Sequence, residues 1–347
     1  MSVEIWPRIA PEELKVAIRE CEERELGWLV QELHETLTNL KHGLEDCYAL
    51  LAPIDPGSTL VLSTPRNEIV KGTITRVGTR IVKGTIHLRL RTLPQQTISI
   101  NPDHPIHLGP LTTLHTLLTH SIDLLNLTLS YSYPTESSPT LDKNTSSPQF
   151  LSAQLRLLSQ SFTESLAILK GPPLLNSDPS WTSRSAAPSH FIPPLTIPSN
   201  SSHNQSSHPC LSFHLTIQDS SLVLWLRTLE PAHAPVHFST KLALAIGTAR
   251  RLEHDEAERV FGYCCTGGDL TGLPHIHNSN HDPNIPLAPV LSGTRRKEVE
   301  VYVREKVRVE SADPSLMSLT AKLTALTHTL SLARRNLAAV MGEEMED

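Results

Sequence analysis

The stretch with the most metal-ligand character runs Cys264-Cys265, then His275, His277, His281 and Asp282. Thiolate and imidazole are zinc ligands, and a His-x-His pair on an extended chain can turn two ring nitrogens to one side. The spacing matches no recognised zinc pattern, and Gly, Pro and Asn interrupt it. In a chain with 18 histidines such a grouping arises from composition alone, so a metal-free loop outweighs a zinc module or zinc enzyme. Gly267-Gly268 and Gly272 lack the Gly-Lys-Ser/Thr of a phosphate-binding loop and the spacing of a dinucleotide fingerprint. No Gly-x-Ser-x-Gly elbow occurs. Glu22-Glu23 and Glu343-Glu344 sit in charged helix ends, where a solvated face outweighs an acid/base pair. His115 falls on an apolar helical face, where a single imidazole is ordinarily hydrogen-bonded core. No catalytic, cofactor-binding or metal residues are assigned, and the chain reads as a non-enzyme.

The elements that would carry such residues are dominated by leucine seams. Leu26, Val30, Leu33, Leu37, Leu40, Leu44, Cys47 and Leu51 recur at alternating spacings of four and three. That rhythm averages about 3.5 residues per turn and sets the side chains on one stripe of a helix. Leu111, His115, Leu118, Ile122, Leu125 and Leu129 repeat it, as do Leu151, Leu155, Leu158, Phe162, Ser165 and Leu169. So do Leu316, Leu319, Leu323, Leu326, Leu330, Ala333, Leu337 and Val340. One exposed stripe needs partner helices, and four in one chain favour an antiparallel, leucine-zipper-like four-helix bundle containing both terminal helices. A homodimeric coiled-coil tether is the alternative; the intramolecular bundle implies a monomer.

Between the seams the period changes. Ser58 to Ser63, Ile69 to Arg76, Thr79 to Arg91 and Thr97 to Ile100 read as strands of an antiparallel meander, with Ile86, Leu88 and Leu90 alternating with His87, Arg89 and Arg91. Leu211 to Leu229 reads as a hairpin turning at Gln218-Asp219-Ser220-Ser221, and Glu298 to Val309 as a further strand. Lys241 to Glu258 suggests a short helix, and Asp313-Pro314 the cap of the last one. The fold class is therefore α+β, with two discontinuous domains. Residues 8–56, 103–172 and 311–343 form the helical bundle; residues 57–102 and 210–310 form a separate antiparallel β domain. Residues 132–148, 173–209 and 262–294, rich in Pro, Ser, Asn and His, are expected to be disordered or loop insertions.

Composition narrows the class. The chain of 347 residues has 39% hydrophobic residues, below the usual ~45–50%, together with 27 prolines. A net charge of −6 argues against a nucleic-acid partner, which calls for a basic face. No apolar run reaches the ~20 residues of a membrane span, and no basic-then-apolar leader opens the chain. A soluble cytoplasmic protein with reduced cysteines is expected.

Three stretches carry a family resemblance: Glu25-Leu26-Gly27-Trp28-Leu29-Val30-Gln31-Glu32-Leu33-His34, then Glu68-Ile69-Val70-Lys71-Gly72-Thr73-Ile74-Thr75, then the hairpin ending Leu226-Arg227-Thr228-Leu229-Glu230-Pro231. Together, and in their order along the chain, they resemble the Rogdi family, the small subunit of the RAVE complex that regulates assembly of the vacuolar-type proton ATPase. The low-complexity insertions look like those of a fungal version. The resemblance implies a leucine-zipper-like bundle with a β domain, and binding to a large β-propeller RAVE subunit of the rabconnectin type and to the cytosolic sector of the V-type ATPase. It also implies recruitment to vacuolar or endosomal membranes only through those partners. It brings no catalytic or cofactor residues.

Overall fold

The computed structural model describes residues 10–132, 148–173, 179–195, 210–232, 254–264 and 298–342. Among them are helices α1 (Pro11–Leu50), α2 (Gly109–Ser132), α3 (Pro148–Lys170), α4 (Trp181–Arg184) and α5 (Pro314–Met341). The strands are β1 (Ser58–Ser63), β2 (Val70–Val77), β3 (Arg80–Leu88), β4 (Gln96–Ile100), β5 (Ile106–His107), β6 (Phe191–Ile192), β7 (Cys210–Gln218), β8 (Ser221–Pro231), β9 (Val260–Cys264) and β10 (Glu298–Ala312). The class is α+β, with two antiparallel sheets. The chain divides into two units: residues 1–54, 109–171 and 314–347, and residues 55–108 and 172–313. Residues 103–108, expected with the helices, fall in the second unit, where β5 pairs with β3.

In the first unit α1 packs against α2 and α5, and α3 packs against the same two helices. Pro11 opens α1 with Glu12 and Glu13 in its first turn, where proline needs no N–H partner and acids face the positive helix end. α3 stops at Gly171, whose φ of 72° suits a residue without a Cβ, followed by Pro172-Pro173. The α3 seam is as expected: Leu151, Leu155, Leu158, Phe162, Ser165 and Leu169 are all buried.

The other seams shift. α1 is buried from Leu29 through Leu33, Leu37, Leu40, Leu44 and Cys47, while Leu26 and Val30 are only half-buried. In α5 Leu326 and Val340 are half-buried, and Ala338 joins the core. In α2 the buried set is Leu111, Leu114, Leu118, Ser121, Leu125, Thr128 and Ser132, so His115, Ile122 and Leu129 are displaced to the seam's edge. The polar members are tolerated because the hydroxyls of Ser121 and Thr128 donate back to the carbonyls of Leu117 and Leu124 at 2.8 and 2.7 Å. None of these helices is long and apolar enough to cross a membrane.

In the second unit one sheet has the order β1-β2-β3-β4-β6, with β5 also on β3; the other is β7-β8-β10-β9. β2 and β3 each carry Val-Lys-Gly-Thr-Ile, at residues 70–74 and 82–86. The two copies pair antiparallel about Thr73 and Thr85, which sets Gly72 opposite Ile86 and Gly84 opposite Ile74. A Cβ at Gly72 would lie 2.3 Å from the Thr85 carbonyl, and one at Gly84 would lie 2.7 Å from the Ile74 side chain. The β7–β8 turn falls at Asp219 and Ser220, with φ of 45° and 61°, the two-residue geometry that matches strand twist.

Three expectations are corrected. Within 173–209, expected to be disordered, residues 179–195 are ordered because Trp181 and Phe191 bury their rings; Phe191 stacks edge-on to Phe213 at 4.9 Å. Within 262–294, expected to be a loop, residues 262–264 complete β9 on β10, with Tyr263 and Val299 in one apolar cluster. The helix expected over 241–258 has only 254–258 among the described residues, and these hold turns rather than helix.

Candidate functional site

Pairing between β8 and β10 sets Arg227 opposite Lys306 and Trp225 opposite Arg308, concentrating cations on one sheet face. Cations directly across a ladder repel, so the arrangement needs a counter-ion. The turn at residues 254–258 delivers it. Glu256 accepts a forked pair of hydrogen bonds from Arg227, Nε at 2.7 Å and Nη2 at 2.9 Å, and its Oε1 lies 2.8 Å from Lys306 Nζ. Asp255 receives Lys306 through both carboxylate oxygens at 2.8 Å. The Glu256 backbone N–H donates to His254 Nδ1, which fixes the turn.

Aromatic faces enclose the cations. The Arg227 guanidinium lies 4.6 Å from the Trp181 ring centre and 5.3 Å from that of Trp225; Lys306 Nζ lies 4.8 Å from Trp225. Such stacking is favourable by about 0.5–2 kcal/mol per pair, more as water is excluded. Arg227 Nη1, Trp181 Nε1, His254 Nε2 and Arg308 Nε are buried and make no hydrogen bond to the described residues.

Two further carboxylates are buried as structural links. Asp313 accepts from Arg76 Nε at 2.5 Å and Nη2 at 3.1 Å, while Arg76 Nη1 donates to the Gly78 carbonyl at 2.6 Å. Glu305 accepts from the backbone N–H groups of Arg91 and Thr92 at 3.2 and 3.0 Å and from the Thr92 hydroxyl at 2.8 Å. It lies where the β8–β10 register shifts, between Val303 and Glu305. Asp313 directly precedes α5, the position expected of a helix cap, and its carboxylate serves Arg76.

The residues singled out from sequence do not converge. Cys264 lies on β9, its Sγ 4.0 Å from Glu298 Oε1. Cys265, His275, His277, His281, Asp282, Gly267, Gly268, Gly272, Glu343 and Glu344 lie outside the described residues. Among the described residues no group of three His, Cys, Asp or Glu is placed to hold a metal ion. His115 is half-buried with its ring 4.8 Å from that of Tyr48. Glu22 and Glu23 are exposed on α1. In α1, burial pushes the Cys47 thiol up to about 11, and the Lys322 ammonium, 2.6 Å from Asp46, holds that carboxyl below its usual range.

Sequence reasoning passed over the Arg227–Glu256 pair and Trp181. The pair spans 29 positions across a segment without periodicity, and Trp181 stands alone in a Pro/Ser-rich run. That isolated tryptophan was the available signal, since a large ring is seldom left without a core.

Comparison with curated proteins gave no match. The family model described as Rogdi leucine zipper containing protein matches residues 25–338, from the first seam of α1 to the last turns of α5 and through both sheets. A match over nearly the whole chain settles its descent: the chain belongs to the Rogdi leucine zipper family.

Proposed function

We propose that this protein is a non-enzymatic adaptor, the small subunit of a RAVE-type complex that promotes assembly of the cytosolic and membrane sectors of the vacuolar proton-translocating ATPase. The observation that carries the reading is the family match over residues 25–338. In this reading α1, α2, α3 and α5 constitute an antiparallel, leucine-zipper-like four-helix bundle, and the sheet unit is a rigid module stapled by buried ion pairs. The partners are a large β-propeller subunit of the rabconnectin type and the cytosolic ATPase sector. The protein is cytoplasmic and reaches vacuolar or endosomal membranes only through them.

The reading is supported by the use the buried charges are put to. Arg76, Arg227, Glu256, Glu305 and Asp313 hold distant segments together, which is what a scaffold requires. The test is co-purification from native extract with quantitation of ATPase subunits. Recovery of the large RAVE subunit and the cytosolic sector at fixed ratios supports the reading; recovery of neither overturns it.

A further inference from the structure

We infer that the first turns of α1, residues 11–28, are a docking arm that seats in an apolar, basic-rimmed groove of the large partner subunit. The inference rests on the adaptor reading above and adds to it the place and the chemistry of contact. α1 is helical from Pro11, yet its burial begins only at Leu29. The eighteen residues before it are exposed, apart from half-buried Leu26. At about 1.5 Å per residue they make a rod roughly 27 Å long. Leu14, Ile18 and Trp28 are 46%, 48% and 63% exposed.

These side chains do not simply prolong the bundle seam. With about 100° between successive residues, Leu14, Ile18, Cys21 and Trp28 fall on one stripe, about a quarter turn from the stripe of Leu29, Leu33, Leu37 and Leu40. Continued backward from Leu26, the bundle seam passes through Glu22, Arg19 and Lys15 and becomes charged. The arm therefore presents its own apolar line to an occupant other than the neighbouring helices.

Charge selects that occupant. Residues 11–28 hold six acids (Glu12, Glu13, Glu20, Glu22, Glu23, Glu25) and three bases (Lys15, Arg19, Arg24), a net of −3. A second copy laid antiparallel about Cys21 would set Glu20 against Glu22 twice at its centre, a like-charge contact that disfavours self-pairing. A groove with an apolar floor and Lys/Arg on its rim satisfies both the stripe and the glutamates.

The test uses the full chain carrying a photo-crosslinking benzoylphenylalanine at Ile18, or at exposed Leu332 as a control, with the co-expressed large subunit as probe. Two variants accompany it, Leu14→Ser/Ile18→Ser and Glu20→Lys/Glu22→Lys/Glu23→Lys, each checked for an unchanged melting temperature. The expected result is a crosslink from position 18, not 332, to a Lys/Arg-bordered apolar segment, and at least tenfold weaker capture of the large subunit by both variants. Capture retained by both variants overturns the docking arm and leaves the adaptor reading standing. A crosslinked species of twice the chain's mass assigns the arm to a second copy and overturns it too. Failure of the unaltered chain to capture the large subunit sinks both readings.

Discussion

Arg76 and Asp313, 237 positions apart in the chain, meet as a forked ion pair that is almost wholly buried. The contact joins β2 to the residue that follows β10, so it fastens the first sheet to the strand that enters last. Desolvating two charges is costly, and such a pair stabilises only while both partners are present.

Asp313→Ala leaves the guanidinium buried without its carboxylate and should destabilise the protein by about 3–5 kcal/mol. Arg76→Met/Asp313→Leu, which removes both charges, should recover most of that loss. Urea denaturation followed by circular dichroism measures both, and equal losses in the single and double variants would contradict the assignment.

Gly72 and Gly27 should respond oppositely to alanine. A Cβ at Gly72 meets the Thr85 carbonyl, backbone that cannot rotate away, so Gly72→Ala should cost about 1–3 kcal/mol. A Cβ at Gly27 meets nothing within 4 Å in an exposed helix, so Gly27→Ala should stabilise by about 0.5–1 kcal/mol. Paired thermal melts give the two signs directly.

The Cys47 thiol makes the stability of the helical unit sensitive to alkaline pH. Its pKa rises from 9.0 to about 11 on burial, so folding favours the protonated form. That contribution is intact below pH 9.0 and is lost as pH climbs towards 11. Stability should fall over this window in the native chain and less steeply in Cys47→Ala. At neutral pH, maleimide should label exposed Cys21 and spare Cys47 until the helices open.

Leu37 lies at the centre of the α1 seam and is 1% exposed. Leu37→Asp buries an unpaired carboxylate among leucines and should unfold the helical unit rather than convert dimer to monomer. Light scattering before and after the change separates the cases: a dimeric native chain and a folded, monomeric Leu37→Asp variant would mean that this seam pairs between chains.

How far the fold was legible follows from what periodicity can see. α3 read correctly because all six seam positions are apolar or a small serine at unbroken spacing. α2 slipped by one position at alternate sites because Ser121 and Thr128 occupy the seam, their hydroxyls silenced by the preceding turn, while Ile122 and Leu129 stand beside it. β5 and β6 are two residues long, too short for any alternation to register. The aromatic and charged cluster was hidden for another reason. Trp181, Arg227 and Glu256 come from three separate segments, and nothing local to any of them announces the others. Only the sheet register brings Arg227 against Lys306 and creates the need for Glu256.

The measurement that bears most directly on the adaptor reading is the fraction of cytosolic ATPase sector bound to vacuolar membranes, with luminal pH, in cells lacking this gene and in cells re-expressing it. Loss of an assembly factor should leave the sector in the cytosol and the lumen less acidic, both restored by the native chain. Full sector assembly and unchanged acidification without the gene would contradict it.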